Sequence, residues 1–281
     1  MSGTTAQATQ RQPPVGRGPG MKLSVVIPAH NEEDSLAATV MELASELHAA
    51  AIDYEILVIN DGSIDRTESV LLELELQIPM LRHITRGPPN GFGLAVICGL
   101  ENFTGDAVAI YMADASDRPE DLVHFFRVMV DSNVDCVFGS RFSRESRVEG
   151  YPPFKLRLNR AANLLIRLLF RLKYDDVTNA FKLYHRDVIE GTRPFLSHHF
   201  NLTVEIPLKA IVRDYTYIVV PNDWLGRTQG TSKFAIQEMG SRYLFIVLYC
   251  LLEKLLSRGD YKDPRLPVTE RGIETNSEVL P

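Results

Sequence analysis

Residues 23–63 read LSVVIPAHNEEDSLAATVMELASELHAAAIDYEILVINDGS, and two alternating patterns in them decide the fold. Leu23-Ser-Val-Val-Ile-Pro28 is a short apolar run closed by proline, the pattern of a strand buried on both faces. From Glu33 to about Ala50 the apolar residues fall at Leu36, Val40, Leu43 and Leu47, the spacing of a helix with one buried stripe. Tyr54-Glu-Ile-Leu-Val-Ile59 is a second strand, stopped by the turn residues Asn60-Asp61-Gly62-Ser63.

The alternation continues outward. Asp65 is placed to cap a helix that runs through Leu76, followed by a weaker strand at Leu81–Ile84 and a helix over Gly91–Asn102. Asp106–Met112 is another buried strand, Pro119-Glu-Asp121 opens a helix, and Val134–Phe138 is a further strand. Short apolar strands separated by helices predict a mostly parallel sheet with helices on both faces. Such sheets bind ligands at the carboxyl ends of their strands. Here those ends carry Pro28-Ala-His-Asn-Glu32, Asn60-Asp-Gly-Ser63 and Ala113-Asp-Ala-Ser-Asp117, a polar and acidic cluster.

Composition narrows the function. A formal net charge of −6 and a pI of about 5.7 disfavour a general nucleic-acid binder. Gly91-Phe-Gly93 starts a dinucleotide fingerprint, but Val96 stands where its third glycine belongs, and there is no Walker loop. NAD and P-loop chemistry are therefore disfavoured. Cys98, Cys136 and Cys250 lie far apart and suit small core positions in a reduced, cytosolic chain. The longest uninterrupted apolar run, Tyr243–Leu252, is ten residues, half of the roughly 20 a spanning helix needs. The expected organisation is a disordered tail over 1–20, an α/β domain over 21–233, an apolar helix over 234–260 and a flexible tail over 261–281.

An acidic site on such a sheet suits a divalent cation, since Mg²⁺ takes one or two carboxylates plus phosphate oxygens. Asp114 is the candidate ligand. A second reading makes Asp114 and Asp117 helix caps ahead of Pro119, and Asp61 part of an ordinary turn.

In order along the chain these segments resemble the family 2 glycosyltransferases of the GT-A fold. Within them they look most like the polyprenyl-phosphate glycosyltransferases, such as dolichol-phosphate mannose synthases. Val25-Val-Ile-Pro-Ala-His-Asn-Glu-Glu33 is similar to VIPxYNEE, and Val58-Ile-Asn-Asp-Gly-Ser-Ile-Asp-Arg-Thr67 to VDDGSxDxT. Gly91-Phe-Gly-Leu-Ala95 resembles the segment that precedes the helix leading to the metal strand. Ala113-Asp-Ala-Ser-Asp-Arg-Pro-Glu120 follows DADLxxPPE from its second letter, and Gly139-Ser-Arg141 matches GSR. Asp176-Val-Thr-Asn-Ala-Phe-Lys182 is similar to DxTSGFK, and Arg227-Thr-Gln-Gly-Thr-Ser-Lys233 matches RxxGxSK.

The resemblance implies roles. Pro28, His30, Glu32 and Asp61 would form the nucleoside pocket, with Asp61 reading the base. Asp114 would hold Mg²⁺ or Mn²⁺ against the donor diphosphate, with Ser116 direct or through water. Arg141, Arg227 and Lys233 would contact phosphates. Arg157 lies where the related synthases carry an arginine near the acceptor phosphate. The chain departs from the pattern at Met112, where the first metal-motif aspartate is usual, at Asn60 for the first Asp of DDGS, and at His30 for Tyr.

The expected activity is inverting transfer of a hexose-type sugar from a GDP- or UDP-linked donor to a polyprenyl phosphate. A phosphate acceptor is already ionised near neutral pH and needs no general base, whereas an alcohol does. Glu205 is the best base candidate, with a structural role as its alternative. Two rival functions stay open: the same fold with a saccharide or other soluble acceptor, and a non-catalytic nucleotide-sugar-binding or scaffolding protein. Leu156–Tyr174 reads as an amphipathic helix with Arg157, Arg160, Arg167 and Arg171 on one side, and the segment around Tyr243–Leu252 as a helix apolar almost all round. Each reads either as packed helix or as one lying at a membrane surface. With the resemblance, they give an expected peripheral location on the cytoplasmic membrane face.

Overall fold

In a computed structural model, which describes Gly18, residues 20–226 and residues 236–262, the decisive stretch forms β1 (Lys22–Ala29), α1 (Leu36–Ala49) and β2 (Asp53–Asp61). β1 is buried from Leu23 to Ala29, so it needs sheet partners on both edges and helices on both faces. β2 pairs along one edge and β4 (Ala107–Ile110) along the other, both parallel. Beyond β2 lies β3 (Leu81–Arg86). Beyond β4 come β7 (Lys182–His185), β5 (Cys136–Ser140) and β8 (Tyr217–Pro221), giving the order β3-β2-β1-β4-β7-β5-β8. β7 is antiparallel to both of its neighbours, and the other pairings are parallel. A separate parallel pair joins β6 (Val148–Glu149) to β9 (Trp224–Leu225).

Successive strand residues point to opposite faces and feed two cores. Val25, Ile27, Ile56 and Val58 pack with α1, α2 (Thr67–Glu75) and α4 (Pro119–Ser132). Val26, Leu57 and Ile59 pack with α3 (Phe92–Asn102), α5 (Pro153–Phe170), α6 (Arg186–Gly191), α7 (Leu202–Val212) and α8 (Ile236–Leu256). The chain leaves β1 for β2 on one side and reaches β4 on the other. This reversal opens a crevice at the strands' carboxyl ends.

Of the boundaries that differ from the sequence reading, three have a visible reason. α1 starts at Leu36, not Glu33, because the Glu32 and Glu33 backbone amides donate to Thr67 Oγ1 (3.0 Å) and Asp65 Oδ2 (3.2 Å). β2 continues through Asn60 and Asp61, which pair with Thr85 and Arg86 of β3. Strand pairing of β4 ends at Ile110, two residues before Met112. Asp65 acts as expected, taking the Thr67 amide (3.0 Å) and hydroxyl (2.6 Å) on its carboxylate. The expected 1–20 tail lies outside the described residues except Gly18 and Gly20, as does most of the 261–281 tail.

α3 lies so close to β1 that a Cβ on Gly99 would sit 2.2 Å from Val26 Cγ1. Gly99→Ala is therefore expected to lower unfolding free energy by about 1–3 kcal/mol, the cost of overpacking a core. Gly240 of α8 has nothing within 4 Å of its Cβ position, so Gly240→Ala should stabilise by up to about 1 kcal/mol. Urea unfolding of the two variants checks the pair, and equal shifts of the same sign would contradict this packing.

Candidate active site

The first two strand ends are stitched together. Asn31, in the left-handed region (φ 57°), donates its amide N–H to Ser63 Oγ (2.9 Å), and its side-chain oxygen accepts from the Ile64 amide (2.8 Å). Asn60 accepts from the Ser63 amide and donates its side-chain amide to Glu68 and Thr85. An aspartate there would face the Glu68 carboxylate, which explains the asparagine. Asp61 is almost fully buried, with one carboxylate oxygen on Arg86 and the other accepting from the Gly91 amide at 2.6 Å. It thereby ties β2 to the start of α3. His30 is exposed, with Nδ1 2.8 Å from the Asp61 carbonyl, and Glu32 accepts from Ser35 Oγ at 3.1 Å. Pro28 is buried within β1. The predicted nucleoside residues thus converge on one rim of the crevice.

The third strand end builds the acidic half. After Tyr111 the chain turns at Ala113–Asp114, and Ala115 takes a left-handed conformation (φ 55°), costly for a residue with a Cβ. The Ser116 amide donates to Asp114 Oδ1 (3.2 Å), and Ser116 is buried. The reversed chain carries Asp117 back under the strand end: its carbonyl accepts from Tyr111 Oη (2.6 Å), and its carboxylate accepts from the Met112 amide. Neither aspartate caps α4. The helix is preceded by Arg118 and has no side-chain cap bond, so the cap reading of Asp114 and Asp117 is corrected. Burial, then the Asp114 charge, pushes the Asp117 carboxyl up to about 7.

Arg141, at the end of β5, is 8% exposed and forms a fork with Asp176: Nε at 2.7 Å and Nη2 at 2.8 Å, with the Arg141 amide on the same carboxylate at 3.0 Å. Arg141 is also a positive charge acting on Asp117. The neighbouring Lys182 is buried and spends its ammonium on the carbonyls of Val177, Asn179 and Thr203, while burial pushes it down to about 7. It joins β7 to α7. The Phe142 ring is shared by two cations, Arg141 (5.5 Å) and Arg160 of α5 (5.1 Å). Basic charge therefore gathers where α5 begins, with Arg157 exposed one turn before Arg160.

α5 buries Asn163, Ile166 and Phe170, and exposes Phe154, Leu158, Leu164, Leu165 and Leu168. α8 buries Ile246, Val247 and Cys250 but exposes Leu244, Phe245, Leu248, Leu252, Leu255 and Leu256. Lys254 Nζ donates to the Phe170 carbonyl (2.6 Å), fastening the two helices. Among the described residues no helix is long and apolar enough to cross a membrane.

Glu205 resolves to its structural alternative. Fully buried in α7, it accepts from the Leu196 amide (2.8 Å), the Ser197 amide (2.7 Å) and Lys209 Nζ (2.6 Å). Glu205→Ala leaves the buried Lys209 ammonium unpaired and is expected to cost about 3–5 kcal/mol of stability. Turnover per folded molecule should stay near wild type. Denaturant unfolding beside active-site-titrated kinetics checks this, and a loss of turnover with stability intact would restore the base assignment.

Arg227 and Lys233 lie outside the described residues. Trp224 packs on Tyr151, with ring centroids 4.9 Å apart. His198 and His199 line a surface cavity of about 390 Å³ with Asn201, Ser241 and Arg242. Among the described residues no group of three or more His, Cys, Asp or Glu is arranged to hold a metal ion. The site residues the sequence missed are Asp176, which positions Arg141 from 35 residues away, and Asp117 as a buried carboxylate. A carboxylate in the DxTSGFK-like motif was the available signal for the first.

The sequence description of glycosyl transferase family 2 matches residues 24–192. The chain is similar to polyprenol monophosphomannose synthase of Mycolicibacterium smegmatis, 30% identical over 223 residues, or 77% of this chain and 82% of that protein. It is also similar to dolichol-phosphate mannosyltransferase of Pyrococcus furiosus, 29% identical over 216 residues, 76% of this chain and 59% of that protein. Among solved structures, glucosyl-3-phosphoglycerate synthase from Mycobacterium tuberculosis in complex with Mn²⁺, UDP and phosphoglyceric acid superposes with a TM-score of 0.62. That match is 20% identical and covers 84% of this chain and 78% of the other. Its complex with Mg²⁺ and UDP gives 0.61 at 19% identity, covering 84% and 79%. The architecture is the expected GT-A fold.

Proposed function

The chain belongs to glycosyl transferase family 2, and from that premise we propose that it moves a hexose-type sugar, with inversion, from a GDP- or UDP-linked donor to a polyprenyl phosphate. The observation that carries the acceptor is the junction at Phe142: Arg141 and Arg160 share its ring, Arg157 lies one turn away, and α5 then runs on as exposed leucines. Cationic groups beside an apolar track suit an anionic head on a hydrocarbon chain. The names of the two curated relatives support the same acceptor class.

The residues around the strand ends fit a divalent cation, because the buried Asp117 Oδ2 has no hydrogen-bond partner and Asp114 stands close by. Asp114 would hold Mg²⁺ or Mn²⁺ with Ser116 assisting, and the ion would supply positive charge for the departing diphosphate. Pro28, His30, Glu32 and Asp61 line the nucleoside side, with Asp61 toward the base. Arg141, Arg227 and Lys233 contact phosphates, and Arg157 the acceptor phosphate. An acceptor phosphate oxygen attacks the anomeric carbon from the face opposite the diphosphate; the new C–O bond forms as the bond to the diphosphate oxygen breaks, and configuration inverts. No general base is required, which agrees with a Glu205 locked into its fold contacts.

The exposed leucines of α5 and α8 support a peripheral position on a membrane in this reading, and Cys98, Cys136 and Cys250, none of them in a disulfide, suit its reducing, cytoplasmic face. Leu164→Glu with Leu168→Glu should weaken co-sedimentation with anionic vesicles severalfold without lowering the melting temperature; unchanged sedimentation would remove α5 from the contact. The activity itself is tested with radiolabelled nucleotide sugars, Mn²⁺ or Mg²⁺, and a short polyprenyl phosphate. The expected result is organic-extractable label from one donor. Label found only in soluble saccharide would give the acceptor to the rival reading, and no donor bound at all would favour a scaffold.

A further inference from the structure

We propose that Asp117 supplies the second carboxylate of the cation site, in place of the one missing at Met112. The inference rests on the divalent-metal part of the proposed function. A methionine thioether is a poor ligand for a hard cation such as Mg²⁺ or Mn²⁺, so the strand end alone offers Asp114.

The turn corrects the deficit three residues on. Ala115 adopts φ 55°, and Asp117 comes within hydrogen-bond reach of the Met112 amide. Two contacts fix it there: Tyr111 Oη on its carbonyl at 2.6 Å and the Met112 amide on its carboxylate. Its Oδ2 remains without a hydrogen-bond partner although the residue is only 4% exposed. A buried carboxyl oxygen with no partner is costly, and Asp114 is the strongest like charge acting on Asp117. Arg141 does not meet the need, since its Nε and Nη2 are committed to Asp176. The N-cap position of α4 is Arg118, not Asp117. A cation shared with Asp114 would satisfy the orphan oxygen, offset the repulsion and account for an alanine held in a left-handed turn.

The test reads metal binding without turnover. Free Mn²⁺ is followed by electron paramagnetic resonance as it is titrated into the full chain with UDP or GDP, for wild type, Asp117→Asn, Asp114→Ala and the pair Met112→Asp with Asp117→Asn. Asparagine keeps an acceptor for the Met112 amide, so the metal-free melting temperature of Asp117→Asn should not fall. Its Mn²⁺ affinity should fall about tenfold or more, and adding Met112→Asp should recover most of it. Wild-type affinity in Asp117→Asn would overturn the proposal while Asp114→Ala still binds weakly. Failure of the wild type itself to bind Mn²⁺ with either nucleotide would overturn the metal reading beneath it, which separates the two.

Discussion

Asp114→Ala is expected to remove sugar transfer, lowering kcat by at least about a thousandfold, or about 4 kcal/mol of transition-state stabilisation. Breaking the bond to a nucleoside diphosphate develops negative charge on its bridging oxygen, and charge fixed in a poorly hydrated crevice stabilises it most. Asp114 stands at the carboxyl end of the central strand β4, at the switch point of the sheet, where it would anchor the cation. Its Oδ1 accepts the Ser116 amide at 3.2 Å. Asp114→Asn retains that acceptor, so it should melt like wild type and still lose turnover. Transfer at the wild-type rate in both variants would sink the assignment.

The second large effect is on stability. Asp176→Asn should cost about 3–5 kcal/mol, because Asp176 is fully buried and supplies both oxygens of the fork around Arg141. The Arg141 guanidinium would remain buried with its counter-charge gone, and Thr178 Oγ1, 3.3 Å from the same carboxylate, would lose an ionised partner. For a chain of this size that is a fall of about 10 °C in Tm. Removing both charges in Arg141→Met with Asp176→Asn should recover part of the stability, since an uncharged pair avoids the unpaired ion, but none of the turnover. Urea unfolding checks both variants; a loss below about 1 kcal/mol for Asp176→Asn would show that the pair does not hold this end of the sheet.

Why the sequence discloses one half of this site and conceals the other follows from range. β1, α1 and β2 are legible because their burial is periodic: both faces of the strands and one stripe of the helix are apolar. The three strand-end clusters are legible because a parallel sheet must place them together. β7 is not, since Lys182-Leu-Tyr-His185 carries a buried lysine whose fitness comes from three backbone carbonyls in other segments. Asp117 reads locally as a cap, and only the left-handed Ala115 reveals that the chain turns back. Asn60 looks like a lost carboxylate until Glu68 is seen facing it. Arg141 and Asp176 are both legible as motif residues, but their pairing spans a helix and a loop.

The central claim is that the attacking group is a lipid phosphate. It is tested most directly by offering the enzyme, with its labelled donor and Mn²⁺, a short polyprenyl phosphate and the same polyprenol without the phosphate. Label is expected in the lipid only when the phosphate is present, with inverted anomeric configuration. Equal transfer to the bare polyprenol would contradict it, because an alcohol needs a base that a fully engaged Glu205 does not provide.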